Sequence, residues 1–429
     1  MRICLFEDRR AADLYPLTFT RPASHLLCGL TTLGAKQARY CSANVVGHLC
    51  RPVLAEWLRA REHAPVNDPT WLRAGPTILV NGRWLAPHVA PSALQNWLAD
   101  GPFIGTANGE IAFAALDQRR LQAVSPATVE DCLRDWAQSL PCHKVGGTLI
   151  RYSWELIEHN GAEIARDFEV ACDPTEAEDN FAGVTLIGPG DRLFIHPTAR
   201  LDPHVIADTT NGPVVIGEGA VVAAFTRLEG PCGIGPHTHV RNAQIRAGTS
   251  VGPHCRVGGE VEASIVLGYT NKSHDGYLGH SVIGEWVDIA AGVVAADQRR
   301  DFGPISVPVN GVEVLTNRTK VGSVIGDHAK IGAGALLNCG SSIGAFAQVL
   351  PTGTLAPREV PAFHEVGPDG LKPLDVTQLL AVAETVVRER GDEPVPQLSA
   401  LYRALAGVPE PTPEVAPPTL PALTLRKSA

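Results

Sequence analysis

The sequence predicts an α/β layered domain, then an all-β parallel solenoid, then a short helical extension. Three observations carry this. The composition changes near residue 180, a six-residue pattern recurs between about 186 and 355, and helical periodicity returns after about 370.

In the first part, MRICLFE reads as an opening strand. PTILVNGRWL (76–85) reads as another, with Ile78, Leu79 and Val80 as its buried run. SPATVEDCLRDWAQSL reads as a helix with Ser125 or Thr128 as the N-cap and acids in its first turn. SWELIEHNGAEIARDFE (153–169) reads as one or two amphipathic helices. Strands that alternate with helices imply an α/β layer structure.

The second part aligns by sixes: IGEGAV (216–221), IGPHTH (234–239), VGPHCR (251–256), IGEWVD (283–288), IAAGVV (289–294), IGDHAK (325–330), IGAGAL (331–336) and IGAFAQ (343–348). An aliphatic residue, a Gly or Ala, two variable positions and a small or β-branched residue repeat in register. Six residues make one flat side of a triangular coil. The aliphatic residue points inward, the small one fits the corner, and each coil buries its sides only against the next. A sandwich or jelly roll would alternate by two, and this pattern does not.

In the third part, DVTQLLAVAETVVRERG (375–391) has Asp375 as N-cap, Gln378 at the capping-box position and Gly391 as a stop. QLSALYRALAG reads as a second short helix. The Pro-rich end reads as a disordered or extended tail. The expected domains are therefore 1–182, 183–360, 361–407 and a tail of 408–429.

Bulk properties exclude several function classes. Charged residues make up 19% of the chain and hydrophobic ones 45%, so a sizeable core is expected. The net charge is −9 and no basic run is present, which speaks against nucleic acid or an anionic membrane as partner. No apolar run of about 18 residues is present, so no membrane span is expected. Ten cysteines are scattered without a CxxC pair, which fits a reduced, cytoplasmic setting with most of them buried. Nothing in the spacing suggests a metal site.

The hexapeptide register runs to Val257-Gly258 and resumes at Ile283-Gly284. Between them lie Lys272, His274, Asp275, Tyr277 and His280, within nine residues. Function is expected where local rules break. An imidazole that titrates near neutrality can take a proton from an attacking amine. Gly276 and Gly279 would permit close backbone approach. The histidines of the repeat turns (His196, His204, His237, His239, His254) read as solvated loop residues.

KSHDGYLGHSVIGEWVDIAAG resembles the acetyltransferase domain of the GlmU-type bifunctional enzymes. That domain carries a His, two residues, Tyr-Leu-Gly, an Ile-Gly turn and an Asn-Ile-Gly-Ala-Gly run. The resemblance implies a left-handed parallel β-helix, a homotrimer, and acetyl-CoA or another acyl-CoA bound between neighbouring coils. It places His274 on the general base, Tyr277 on a substrate-binding tyrosine and Arg246, in QIRAG, on the arginine that grips the sugar phosphate. Lys272 is grouped with them as a substrate contact. The family's two active-site asparagines fall on Asp288 and Asp297, and its lysine in the strand before the His falls near Ser264.

LYPLTFTRPASHLLCGLTTLGAKQARY (14–40) and LVNGRWL resemble a GlmU-like subfamily of sugar nucleotidyltransferases, so the likeness spans roughly residues 1–365. Ordinary members cradle a triphosphate in a Gly-rich loop and hold Mg²⁺ with the Asp of an Asn-Gly-Asp triplet. Here LFEDRRAADLYPLTFTRP has no glycine, and the triplet is Asn81-Gly82-Arg83. A cation cannot replace a Mg²⁺ ligand. Arg21, Lys36 and Asn81 stand as nucleotide-binding candidates, with Glu7 and Asp8 beside them.

The expectation is a transferase: an acyl-CoA-dependent acyltransferase acting on an amino-sugar phosphate or nucleotide sugar, joined to an atypical nucleotidyltransferase domain. The alternative is a non-catalytic sugar-nucleotide sensor or scaffold built on the same trimer.

Overall fold

The computed structural model describes residues 1–172 and 183–407, so the tail expected over 408–429 lies outside the described residues. The N-terminal domain is built on a six-stranded sheet. Its order is Val45–Leu49, Arg2–Phe6, Thr77–Asn81, Glu110–Leu116, Phe103–Ala107 and Cys142–Lys144. The first three strands are parallel, and Glu110–Leu116 runs against both of its neighbours. The Ile78–Val80 run is buried, as an interior parallel strand requires.

PTILVNGRWL is two strands, not one. The Asn81 side chain accepts the Arg83 backbone N–H at 3.0 Å, which closes a tight turn. Trp84–Leu85 then leaves the main sheet and pairs with Thr148–Leu149. Ser153–Ala171 is a single helix. Val129–Trp136 begins after Thr128, but the Thr128 hydroxyl donates back to the Ala123 carbonyl at 2.8 Å and does not cap the helix.

The solenoid follows. Cys232 pairs with Thr249, 17 residues on, and Val324 with Ser342, 18 residues on. One coil is therefore three hexapeptides. One face of the prism is a nine-stranded parallel sheet that includes Ile265–Gly268 and Val282–Glu285. A second face carries Asn271–Lys272 and Asp288–Ile289, and a third carries Tyr277–Gly279 and Val294–Ala295. Inside, aliphatic side chains stack in columns; Leu228, Ile245, Val261, Leu278, Ala295 and Leu337 form one.

The expected break in the repeat at 259–282 is not there. Arg256–Glu262, Ile265–Gly268, Asn271–Lys272 and Tyr277–Gly279 are all in register with the coils on either side. Polar residues at outward positions do not interrupt a coil whose inward column is kept. The actual insertion comes later. Val282 pairs with Val324, 42 residues on, and the extra chain contains the hairpin Ser306–Val309 with Val312–Leu315.

Apolar clusters are among the contacts that fix the parts together. Leu14, Leu17, Leu26, Leu33 and Leu156 of the N-terminal domain pack on Ile265, Leu267, Val282 and Val324 of the first face. The helices Val376–Glu389 and Pro396–Leu405 pack Leu380, Leu401 and Tyr402 between Leu54, Trp57 and Leu58 and the solenoid residue Phe346. Asp375 caps the first of these helices, accepting the Thr377 and Gln378 N–H groups at 2.8 and 3.2 Å. No helix among the described residues is long and apolar enough to cross a membrane.

Candidate active site on the solenoid

The third face and its two corners gather four of the six sequence-predicted residues of the solenoid: His274, Tyr277, Asp297 and Arg246. The Tyr277 hydroxyl donates to Asp297 at 3.0 Å and lies 3.3 Å from Glu262. His280 Nδ1 lies 2.7 Å from the same Asp297 oxygen. A carboxylate only accepts, so Nδ1 carries the proton, and in the neutral ring Nε2 is left as a free acceptor. Burial raises the Tyr277 pKa, and the Asp297 charge raises it further. Burial would raise Asp297 too, but the hydrogen bonds from His280 and Tyr277 hold it below its usual value.

Gly279 makes this geometry possible. A Cβ there would lie 2.3 Å from the Tyr277 hydroxyl and 2.7 Å from Asp297. Its role is to make room for the Tyr277 ring. Gly276 has φ +147° and its missing Cβ would meet the Val293 carbonyl at 2.3 Å, so close backbone approach does occur there, against the next coil.

His274 is exposed on the corner between the second and third faces, and its side chain has no partner among the described residues. Arg246 pairs with Glu260 at 2.6 Å, and Glu260 stands in register with Tyr277 on the next coil, so Arg246 sits at the end of the same face two coils from Tyr277. Glu262 also takes an ion pair from Lys320 of the insertion at 3.2 Å.

Two candidates lie elsewhere. Asp288 is on the second face, where it accepts from Asn271 at 2.7 Å and stands in register with Lys330. Lys272 occupies an inward core position beside Val257, only 3% exposed. Its ammonium donates to the carbonyls of Gly258 and His274 at 2.7 and 2.9 Å, and burial lowers its pKa to about 8. It stitches the corner under His274 rather than reaching a ligand.

Sequence reasoning noticed His280 without giving it a role, and missed Glu262 and Lys320. Their signal is the coil period: His280 and Asp297 are 17 residues apart, as one coil requires.

In the N-terminal domain the candidates are closed. Arg83, 1% exposed, forks onto Asp8 with Nε at 2.7 Å and Nη2 at 2.6 Å, while Asn81 donates to Asp8 at 2.8 Å. Burial opposes the Asp8 charge, but Arg83 and Asn81 outweigh it and hold its pKa below the usual value. Arg83 stands where the Mg²⁺-binding aspartate would be, and its guanidinium also saturates the neighbouring Asp8 carboxylate, so these residues do not fit that metal. Lys36 is buried between Asp167 (2.5 Å) and Glu163 (2.9 Å), and Arg39 adds a contact to Asp167 at 3.0 Å. His88, Glu163 and Asp167 lie close enough to one another to suggest a metal site, but Lys36 fills it. Arg21 is buried between Glu285, at 2.8 Å, and Asp327 of the solenoid. It ties the domains together, as does Arg61 through Glu285 at 3.2 Å.

Residues 3–173 match the family model described as sugar nucleotidyl transferase. A bifunctional sugar-1-phosphate nucleotidylyltransferase/acetyltransferase of Sulfurisphaera tokodaii is 33% identical over 160 residues, 35% of this chain and 38% of the relative. The bifunctional protein GlmU of Synechococcus elongatus is 26% identical over 257 residues, 57% of this chain and 50% of the relative. Parts of this chain are thus similar to bifunctional enzymes of the GlmU type.

The chain matches half or less of the length of these curated relatives. Those relatives are transferases. Among solved structures, LpxA from Acinetobacter baumannii overlaps 52% of this chain and 97% of its own at 13% identity, with a TM-score of 0.20. The likeness is too slight to bear on the chemistry, so the candidate site rests on the coil geometry above.

Proposed function

We propose that the solenoid is an acyl-CoA-dependent acyltransferase acting on an amino-sugar phosphate or nucleotide sugar, and that the N-terminal domain keeps the nucleotidyltransferase fold without transferring a nucleotide. The observation that carries the first half is the third-face cluster: Tyr277 and His280 both hydrogen-bonded to Asp297, on the face that follows the corner presenting His274. The saturation of Asp8 by Arg83 and Asn81 supports the second.

In this reading the acceptor amine, drawn by Glu262 and Asp297, loses a proton to His274 as its nitrogen attacks the thioester carbonyl. The C–N bond forms, the C–S bond breaks, and the CoA thiolate is released and protonated. Direct transfer needs no covalent enzyme intermediate. Arg246 would swing from Glu260 to a substrate phosphate, which costs little for an exposed pair. Asp288 lies on another face of the same chain, so its part in the site would come from a neighbouring subunit of a trimer. The setting proposed is the cytoplasm, where acyl-CoA is present.

A second reading has a specific observation behind it: His280, oriented by Asp297 at 2.7 Å, has the arrangement of a positioned base, which His274 lacks. The experiment is a thiol-release assay with acetyl-CoA and a panel of amino-sugar phosphates, on wild type, His274→Ala and His280→Ala. Acceptor-dependent release abolished in His274→Ala alone supports the first reading, and abolished in His280→Ala alone supports the second. No release with any acceptor would favour a non-catalytic sugar-nucleotide-binding scaffold.

A further inference from the structure

The corner between the first and second faces carries a feature outside the proposed active site. His237, His254, Tyr269, Trp286, His328, Phe346 and Phe363 each adopt a left-handed backbone, with φ between 53° and 61°. Their rings stack in order at centroid distances of 5.1, 4.8, 4.4, 6.1, 4.7 and 5.3 Å. The C-terminal half of this ladder is covered. Tyr402 packs edge-on against His328 and Phe346, and both of those rings are buried. The N-terminal half is open, with His237 and His254 exposed.

The open half faces a cavity of about 360 Å³ lined by His237, His239, His254, Arg256, Tyr269 and Arg390. Asp392 is the one carboxylate in its lining. In a chain of net charge −9, this concentration of cations is out of proportion. Among the described residues, Arg256 has no side-chain partner, and Arg390 reaches only the His254 carbonyl at 3.4 Å. Arg200 and Arg241 flank the site, also without a carboxylate partner. Burial and then the field of Arg241, Arg256, Arg200 and Arg390 lower the His239 pKa, and burial and then Arg256 lower that of Arg390. Like charges held together with only Asp392 in the lining to offset them are suited to a ligand that brings several negative charges.

Tyr269 and Asp392 also line a second cavity, of about 370 Å³, which Trp57, Trp286, Leu380 and Tyr402 close between the two domains and the C-terminal helices. A ligand that spans both cavities would need an anionic end and a flat aromatic end. We infer that this groove binds a nucleoside diphosphate group, with the phosphates held by Arg256, Arg390 and the neighbouring histidines and the base packed among Trp57, Tyr269 and Trp286. Free nucleotide, nucleotide sugar and the ADP portion of a CoA all supply that chemistry. The site is on a different corner from Tyr277 and His274, and it stands whether or not the solenoid transfers acyl groups.

The test is titration calorimetry on the full chain with ADP, inorganic pyrophosphate and CoA, none of which requires turnover. ADP should bind at one site per chain, at least tenfold tighter than pyrophosphate, and Arg256→Ala/Arg390→Ala should weaken it at least tenfold. Trp57→Ala should weaken ADP without changing pyrophosphate, which separates the two ends. CoA that competes with ADP would identify the group as part of CoA; CoA that does not compete would identify a free nucleotide or nucleotide sugar. Absence of ADP binding at millimolar concentration, equal affinity for pyrophosphate, or unchanged binding in the double variant would overturn the assignment. Arg256 is exposed and Arg390 half-buried at a helix end, and an unchanged melting curve will show that the double variant is folded.

Discussion

The two halves of the chain treat charge in opposite ways. In the N-terminal domain, Arg21, Lys36 and Arg83 are buried, and each is held by protein carboxylates. On the solenoid, His274, Arg256 and His239 are exposed, and Arg246 has only a half-exposed glutamate. A cation already satisfied inside a fold cannot also bind a phosphate without leaving a buried carboxylate unpaired. The difference is one of availability: the N-terminal cations are held in internal pairs, while the coils and their corners keep cations open to solvent, as the proposed division of labour between the two halves requires.

The strongest way to break this comparison is to remove a buried cation. Arg83→Met leaves Asp8 nearly buried without its partner and should destabilise the protein by about 3–5 kcal/mol, read as a lower urea midpoint. Asp8→Leu/Arg83→Met should recover most of that loss. If the single variant is as stable as wild type, the pair is not structural and Asp8 becomes available for ligand chemistry again.

Next in size is catalysis. Loss of a general base should lower kcat by about 10²–10⁴-fold, with a smaller change in stability. For a solenoid site this falls on His274→Ala or His280→Ala, while Lys36→Met should act through stability alone. Asp297→Asn keeps the shape but weakens the orientation of His280, and a drop in kcat there without a drop in His274→Ala activity would identify His280 as the base.

Lys272 sharpens the comparison because it is the solenoid's exception, a cation buried like those of the N-terminal domain but facing only carbonyls. Its pKa falls from an ordinary 10.5 to about 8 in the folded chain. The unfolded chain therefore binds more protons between those values, and stability rises with pH across about 8 to 10.5. Below pH 8 the full cost is present, on the order of 3 kcal/mol at most. Lys272→Met should remove this slope, measured as the difference in unfolding free energy between variant and wild type at pH 7.5 and pH 10.

The repeat was legible because a fixed period of six leaves an aliphatic residue at each inward position, and Ile216, Ile234, Val251, Ile283, Ile325 and Ile343 occupy the same column. Its true interruption was not. Lys272 breaks the inward pattern in sequence, yet its methylenes and carbonyl-bound ammonium fill the column in space. The insertion around 306–315 instead begins after a well-formed coil. The α/β layering and both C-terminal helices followed from periodicity and capping, as Asp375 shows. Tyr277, Asp297 and Arg246 were found by resemblance, whereas His280 needed the coil period. The histidines at 237 and 254 read as solvated loops because a lone His in a turn carries no pattern; only the stacking of one corner on the next joins them to Tyr269 and Trp286.

The smallest expected effect is the most discriminating. Arg246 and Glu260 are 41% and 34% exposed, so Arg246→Gln should change stability by less than about 1 kcal/mol. If Arg246 leaves Glu260 for a substrate phosphate, the same variant should raise the acceptor KM about tenfold with kcat nearly unchanged, the signature of lost uniform binding. An acceptor without phosphate should be indifferent to the change. A KM that does not move would leave Arg246 as one more internally paired cation, and the contrast between the two halves would then hold only for His274 and the arginines of the second-face groove.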